Sequence, residues 1–230
     1  MVQLLFPLRC PVCDDIVVPF GASVCPDCVQ RLKRIQTPFC MKCGKQLEEE
    51  TREYCSDCSK GQHYFTRGRA LYEYGSVAGS IYRFKYGGRR EYAQFYGKEI
   101  ARHLHAELRQ MAPDLLIPIP LHPKRQRKRG YNQALLLAKS ISGYTGIPLC
   151  GKILIRVKNT LPLKYLNPGE RQNNLKKAFL ILGNDVKCKT ILLVDDIYTT
   201  GSTMDAAAAA LLEAGAKKVY FVTLSIGAGL

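Results

Sequence analysis

No stretch of this chain approaches the roughly 18 consecutive apolar residues that a membrane-spanning helix needs. Met1 to Leu8 is mildly apolar, but its shortness and Pro7 exclude an ordinary signal peptide. The expectation is a cytoplasmic protein with no membrane insertion. Acidic residues are the second scarcity. There are 19 Asp+Glu against 34 Lys+Arg, a formal charge of +15 over 230 residues. Residues 1–60 hold eight basic and eight acidic side chains, whereas residues 61–230 hold 26 and 11 and carry the whole excess. Neutrality of the N-terminal part argues against DNA as its main partner. The C-terminal part is the candidate surface for a polyanion. Apolar content of 47% is ample for a packed core, and the length allows one large domain or two.

Cysteine is abundant. Eight of the ten form four Cys-x-x-Cys pairs, Cys10/Cys13, Cys25/Cys28, Cys40/Cys43 and Cys55/Cys58, recurring every fifteen residues. A Cys-x-x-Cys turn points two thiolates at one metal, and two such turns complete a tetrahedron, so eight ligands imply two structural zinc ions. A redox role needs only one pair, and disulfides would suit a secreted chain. Four thiolates around zinc leave no open position for catalysis. Consecutive pairs sharing an ion is the favoured arrangement, with a cross-braced alternative open. Counting two such sites at −2 each lowers the net charge from +15 to about +11. Val29, Leu32 and Ile35 recur at helical spacing between the pairs and suggest an amphipathic turn or two. Residues 61–66 read as a linker, which gives a small zinc-ribbon domain over 1–60 and a second domain over 61–230.

The chemistry of the second domain centres on residues 191–203. Ile191 to Val194 is a short apolar run suited to a central parallel strand. It ends in two carboxylates, Asp195 and Asp196, followed by Thr199, Thr200, Gly201, Ser202 and Thr203 and then an Ala-rich helix from Asp205. The turn and the helix start suit a phosphate, because free N–H groups and the positive end of the dipole meet there. A pair of carboxylates suits ribose hydroxyls and repels phosphate, so the two halves should hold different parts of one phosphorylated sugar.

Two basic stretches accompany this motif. Residues 121–133 read as a loop after the strand Leu115–Pro120, with Lys124, Arg125, Arg127, Lys128 and Arg129 and no acid. Residues 84–90 interleave Lys85 and Arg89 with aromatics around Gly87-Gly88. Both can grip a pyrophosphate or a DNA backbone. Helical periodicity covers 77–86, 91–111 and 134–143, and short strands are expected at 69–74, 153–156, 178–182 and 218–226. His103 and His105 cannot share one helix face and are not read as ligands. Residues 157–174 form a long aperiodic segment suited to a lid, with Glu170 and Arg171 in it.

The string from Val194 to Thr203 resembles the phosphoribosyl pyrophosphate (PRPP) signature of type I phosphoribosyltransferases. That resemblance implies an open, mostly parallel α/β sheet flanked by helices. It also implies that Asp195 and Asp196 contact the ribose hydroxyls, that Thr199 to Thr203 cradle the 5′-phosphate, and that Mg²⁺ accompanies the pyrophosphate. Three blocks stand in one order: Ile117 to Pro123 running on through Arg129-Gly130-Tyr131-Asn132-Gln133, then Arg156 to Phe179, then the PRPP string. Behind four cysteine pairs, this order resembles the ComF family of competence proteins. The resemblance implies a role in DNA uptake during natural transformation, single-stranded DNA binding and a ComFA-like helicase partner. Many relatives have Gln where Leu163 stands, and the end from Ser225 to Leu230 lacks a basic tail. The alternative is an active Mg-dependent phosphoribosyltransferase acting on a nucleobase or amine, but no base pocket and no N-terminal cysteine nucleophile is legible.

Overall fold

The computed structural model describes residues 7–19, 21–157 and 178–227. Most of the expected lid, with Leu163, Glu170 and Arg171, lies outside the described residues, as do the last three residues of the chain.

In the N-terminal part, two short helices, α1 (Pro26–Val29) and α2 (Ser56–Lys60), each start at the first cysteine of a pair. The amphipathic turn expected through Ile35 stops at α1. The chain then runs extended beside the first strand, β1 (Arg67–Glu73). Ile35 N–H donates to Leu71 O at 3.0 Å, Glu73 N–H donates to Lys33 O at 2.9 Å, and Arg34 bridges Tyr72 antiparallel. Hydrogen bonding to the otherwise unpaired edge of β1 overrides the weak helical period. The stretch read as a linker carries Phe65 at 0% exposure, wedged edge-on against Phe221 with ring centroids 4.8 Å apart.

The main sheet is wholly parallel. Its order is β1, β6 (Lys218–Ile226), β5 (Thr190–Tyr198), β2 (Leu115–Pro118). Ile191, Leu192, Leu193 and Val194 of β5 are all 0% exposed, because β5 is flanked by strands on both edges and covered on both faces. Each such side chain contributes about 1.5–3 kcal/mol by burial. Alternation sends Leu192 and Val194 into one core with Leu116, Val222 and Leu224. There they meet α3 (Tyr74–Tyr86), α4 (Tyr92–His103) and α7 (Gln133–Thr145). The helix expected over 91–111 is broken at Leu104 into α4 and α5 (His105–Met111), and both halves bury side chains in this core. α4 and α7 touch closely at Gly97, where an added Cβ would lie 2.2 Å from Ser140 Oγ.

Ile191 and Leu193 face the opposite core. It holds α8 (Ser202–Glu213), an antiparallel pair β3 (Leu154–Arg156) and β4 (Phe179–Ile181), and also Cys40, Cys43, Leu47 and Cys55. The second group of cysteines therefore shares a core with the sheet. Residues 121–133, expected as a loop, contain a short helix, α6 (Pro123–Arg129). The local signals for it are present: Pro123 at its first turn, His122 Nδ1 accepting from Lys124 N–H at 3.3 Å, and Gly130 closing it at φ 75°.

Candidate ligand cleft and metal centres

The C-terminal ends of β2 and β5 open onto a cleft of about 270 Å³. It is lined by Lys85, Arg125, Arg129, Asn132, Gln133, Arg156, Asp195, Asp196, Thr199 and Thr203, with Ile119, Pro120, Leu121, Ala134 and Ile197 as apolar walls. In open α/β sheets this is where ligands sit.

One end of the cleft is the turn from Thr199 to Thr203. Thr203 lines the main cleft, and Thr199, Gly201, Ser202 and Thr203 line a small adjoining recess. Gly201 caps α8 at φ 78°, and a Cβ there would lie 2.4 Å from the Tyr198 hydroxyl oxygen. Only glycine fits both the backbone angle and the space. The Thr200 and Ser202 hydroxyls lie 2.8 Å apart on the exposed rim. The N–H groups of Ser202, Thr203 and Met204, ahead of the first intrahelical bond of α8 from Asp205 to Gly201, have no helical partner, so the recess presents donors and a positive dipole end.

Asp195 and Asp196 form the floor. Asp195 Oδ1 accepts from Asp196 N–H at 2.8 Å. Burial, followed by the neighbouring Asp196 charge, pushes the Asp195 carboxyl up to about 7, against the pull of Lys85 and Arg156. Asp196 is 6% exposed and pairs with Lys85 Nζ at 2.9 Å. The facing wall is cationic. Arg156 comes from β3, and its guanidinium is lowered by burial and by the Arg125 charge, while Asp195 holds it up. Arg129 donates to Gln133 Oε1 at 3.0 Å and to the Tyr86 hydroxyl at 2.9 Å. Gln133 is 1% exposed, and its Nε2 has no hydrogen-bond partner among the described residues. Asn132 caps α7 by accepting from Ala134 N–H and is anchored through Nδ2 to Ile119 O, both at 3.0 Å.

The structure thus divides the sequence candidates. Asp195, Asp196, Thr199, Thr203, Lys85, Arg125 and Arg129 share the cleft, and Gly201 and Ser202 share its recess. Lys124, Arg127 and Lys128 do not line it; they are exposed on α6. Arg125 and Arg129 are one helical turn apart, so α6 turns two arginines inward and three cations outward. Arg89 is elsewhere, in a two-point ion pair with Asp14 at 2.7 and 3.0 Å. That contact lowers the Asp14 carboxyl and raises the Arg89 guanidinium. Arg156 and Gln133 line the cleft without having stood out as site candidates in the sequence. Arg156 was legible only as the end of a strand, and Gln133 only as part of a motif.

The eight cysteines fall into two groups, Cys10/Cys13/Cys25/Cys28 and Cys40/Cys43/Cys55/Cys58, with all sulfurs of a group within 4.8 Å of one another. Consecutive pairs share a site, and the cross-braced alternative is ruled out. Zn–S bonds of about 2.3 Å at tetrahedral angles put sulfurs about 3.8 Å apart. Cys43 and Cys55 stand at 3.7 Å. Although burial pushes the Cys10 thiol up, backbone N–H groups of Cys25, Cys13 and Val12 bring it down to about 7, toward the ligating thiolate. The donor sets fit two structural zinc ions. The first site is tied to α3 and α4: the Tyr92 hydroxyl donates to Asp14 Oδ1 at 2.6 Å, and Arg83 donates to Val12 O at 2.6 Å.

Comparison with known proteins agrees with this architecture. Residues 1–59 match the family model for a double zinc ribbon domain, and residues 144–227 match that for a phosphoribosyl transferase domain. The chain is therefore a double zinc ribbon joined to a phosphoribosyltransferase-type α/β domain. Among solved structures, an allosteric regulatory enzyme of purine biosynthesis aligns with 63% of this chain and 29% of its own, at 20% identity and a TM-score of 0.43. The order of its motifs resembles that of the ComF-type competence proteins, and the chain is similar to curated proteins of that name. It is 35% identical to competence protein F of Haemophilus influenzae over 60% of this chain and 63% of that protein. It is 31% identical to competence protein ComFC of Bacillus subtilis over 64% and 58%. DNA utilization protein YhgH of Escherichia coli K12 is 32% identical over 60% and 62%. The aligned region spans about three fifths of the length of these relatives.

Proposed function

We propose that the cleft binds PRPP, and that the chain serves DNA uptake in natural transformation by holding single-stranded DNA on the outer face of α6. The observation that carries the pocket reading is the juxtaposition in one cleft of a glycine-pinched phosphate recess, two floor carboxylates and a cationic wall. A phosphorylated ribose satisfies all three: phosphate in the recess, hydroxyls on Asp195 and Asp196, and pyrophosphate against Arg125, Arg129 and Arg156. The unpartnered Gln133 Nε2 is a further donor for an anionic or carbonyl oxygen. Mg²⁺ would accompany the pyrophosphate and offset its charge, with the floor carboxylates as anionic oxygen donors in the same cleft. The DNA reading rests on Lys124, Arg127 and Lys128, which are exposed and outside the cleft, on the positive charge of residues 61–230, and on kinship with the competence proteins. The helicase partner of the ComFA type comes from that kinship alone.

The test is PRPP and oligo(dT) binding on one zinc-loaded sample, each titrated alone and in competition. PRPP should bind in the presence of Mg²⁺ and be lost in Asp195→Asn/Asp196→Asn. Oligo(dT) should bind with an affinity that falls steeply with salt. Absence of PRPP binding overturns the pocket reading. DNA affinity unchanged by Lys124→Glu/Arg127→Glu/Lys128→Glu overturns the placement of DNA. Pyrophosphate release from PRPP with any nucleobase or amine would establish the transferase alternative.

A further inference from the structure

We infer that the second zinc site sets the affinity of the phosphate recess, and that His63 is the positioning residue that links them. The inference rests on the reading of the recess as a phosphate site and adds its regulation.

His63 lies five residues beyond Cys58, the last sulfur of the second zinc group. Its side chain is 10% exposed, and its ring spans two elements. Nδ1–H donates to Asp205 Oδ2 at 2.7 Å, and Nε2 lies 3.6 Å from Cys58 Sγ. Asp205 belongs to the first turn of α8, and its own N–H donates to Gly201 O at 2.8 Å. Its other oxygen accepts from Tyr64 N–H at 3.0 Å. The Asp205 carboxylate therefore gathers the strand-entry segment onto the helix whose start forms the recess.

A second, apolar path runs beside the polar one. The His63 ring stacks on Phe65 with centroids 4.6 Å apart. Phe65 meets Phe221 edge-on at 4.8 Å, and Phe221 stacks on Tyr198 at 4.9 Å. The Tyr198 hydroxyl in turn abuts Gly201. Both paths start at the loop held by Cys58 and end at the glycine that shapes the recess. Groups just outside a metal's ligands orient those ligands and transmit their geometry. Among the described residues the first zinc site makes no such contact. The side chains that bond its loop, Arg83, Arg89 and Tyr92, lie on α3, on α4 and in the turn between them, on the other face of the sheet.

Coupling of this kind is reciprocal: if zinc strengthens ligand binding, ligand must strengthen zinc binding by the same factor. The experiment uses the full zinc-loaded chain, with ribose 5-phosphate as the probe. Ribose 5-phosphate affinity is measured by calorimetry, and zinc affinity by equilibrium competition with a chromophoric chelator, with and without saturating probe. In the wild type, one zinc of the two should be held about tenfold more tightly with the probe bound, and the other should not change. His63→Ala should weaken probe binding about tenfold and abolish the difference between the two zinc ions; His63→Gln should restore part of both. Equal probe affinity in wild type and His63→Ala, or zinc affinities indifferent to the probe, overturns the link. Should His63→Ala fail to fold, the wild-type zinc measurement decides alone. No binding of ribose 5-phosphate or PRPP by the wild type overturns the pocket reading itself, which distinguishes that failure from failure of the link.

Discussion

The floor of the cleft should cost the fold stability, and the cost should depend on pH. Asp195 is held within β5, which runs on to Tyr198, beside a second carboxylate, and its carboxyl is raised from 3.8 to about 7. Between those values the folded chain binds a proton that the unfolded chain has released, so stability falls as pH rises. Below pH 4 the group is protonated in both states and costs nothing; above pH 7 the full cost is present. A shift of about three units corresponds to about 4 kcal/mol at 1.4 kcal/mol per unit. The open side of the carboxylate is screened by water in the cleft, which lowers the expectation to roughly 2–4 kcal/mol. Asp195→Asn keeps the shape and removes the charge. Urea unfolding of both proteins across pH 5 to 8 should show the variant more stable at pH 8 by that amount, with the gap narrowing toward pH 5. The zinc sites titrate alike in both, so the difference isolates Asp195. The same variant should bind PRPP more weakly, because an amide accepts from ribose hydroxyls less strongly than a carboxylate. A variant equally or less stable at pH 8, or a gap that does not change with pH, would refute the reasoning.

The two faces of α6 should separate genetically: Arg125→Ala/Arg129→Ala should weaken PRPP binding by roughly 1–3 kcal/mol, while Lys124→Ser/Arg127→Ser/Lys128→Ser should leave it unchanged and flatten the salt dependence of oligo(dT) binding. Gly201→Ala meets both a left-handed backbone angle and the Tyr198 hydroxyl, and should lose ribose 5-phosphate affinity at least tenfold by titration calorimetry, at about 1–2 kcal/mol of stability. Cys43→Ser should leave one zinc per chain by metal analysis and lower the melting temperature of the whole molecule, because Cys43 packs in the core that contains Leu193 and Phe221.

Much of this was legible because its signals are local. The run Ile191 to Val194, the two carboxylates and the Thr/Ser/Gly turn specify strand, floor and recess within thirteen residues; the carboxylates, Thr199, Gly201, Ser202 and Thr203 line one cleft and its adjoining recess, while Thr200 lines neither. Four evenly spaced cysteine pairs announce their chemistry in the same way, although only the fold could say which pairs share an ion. Long-range contacts were illegible. Arg89 carries the same charge as Arg125, and nothing in its neighbours says that Asp14, 75 residues away, holds it. Arg156 enters the cleft through a two-stranded sheet whose pairing is non-local. Residues 61–66 are polar and glycine-led, as a linker would be, yet Phe65 is buried there and His63 partly so, each against a partner more than 140 residues distant. The loop expected at 121–133 missed α6 because charge density outweighed the Pro and Gly punctuation that marks a short helix.

The extended residues 33–35 carry a consequence of their own. Together with Lys42, whose carbonyl accepts from Gly68 N–H at 2.8 Å, they occupy the backbone groups along the outer edge of β1. That edge would otherwise be an open template for another strand. The segment that covers it is strung between the two cysteine groups, so zinc bound there would hold the cover closed. A chain stripped of zinc would present a bare, apolar-flanked strand edge to its neighbours. For this protein, metal supply would then govern self-association as well as folding.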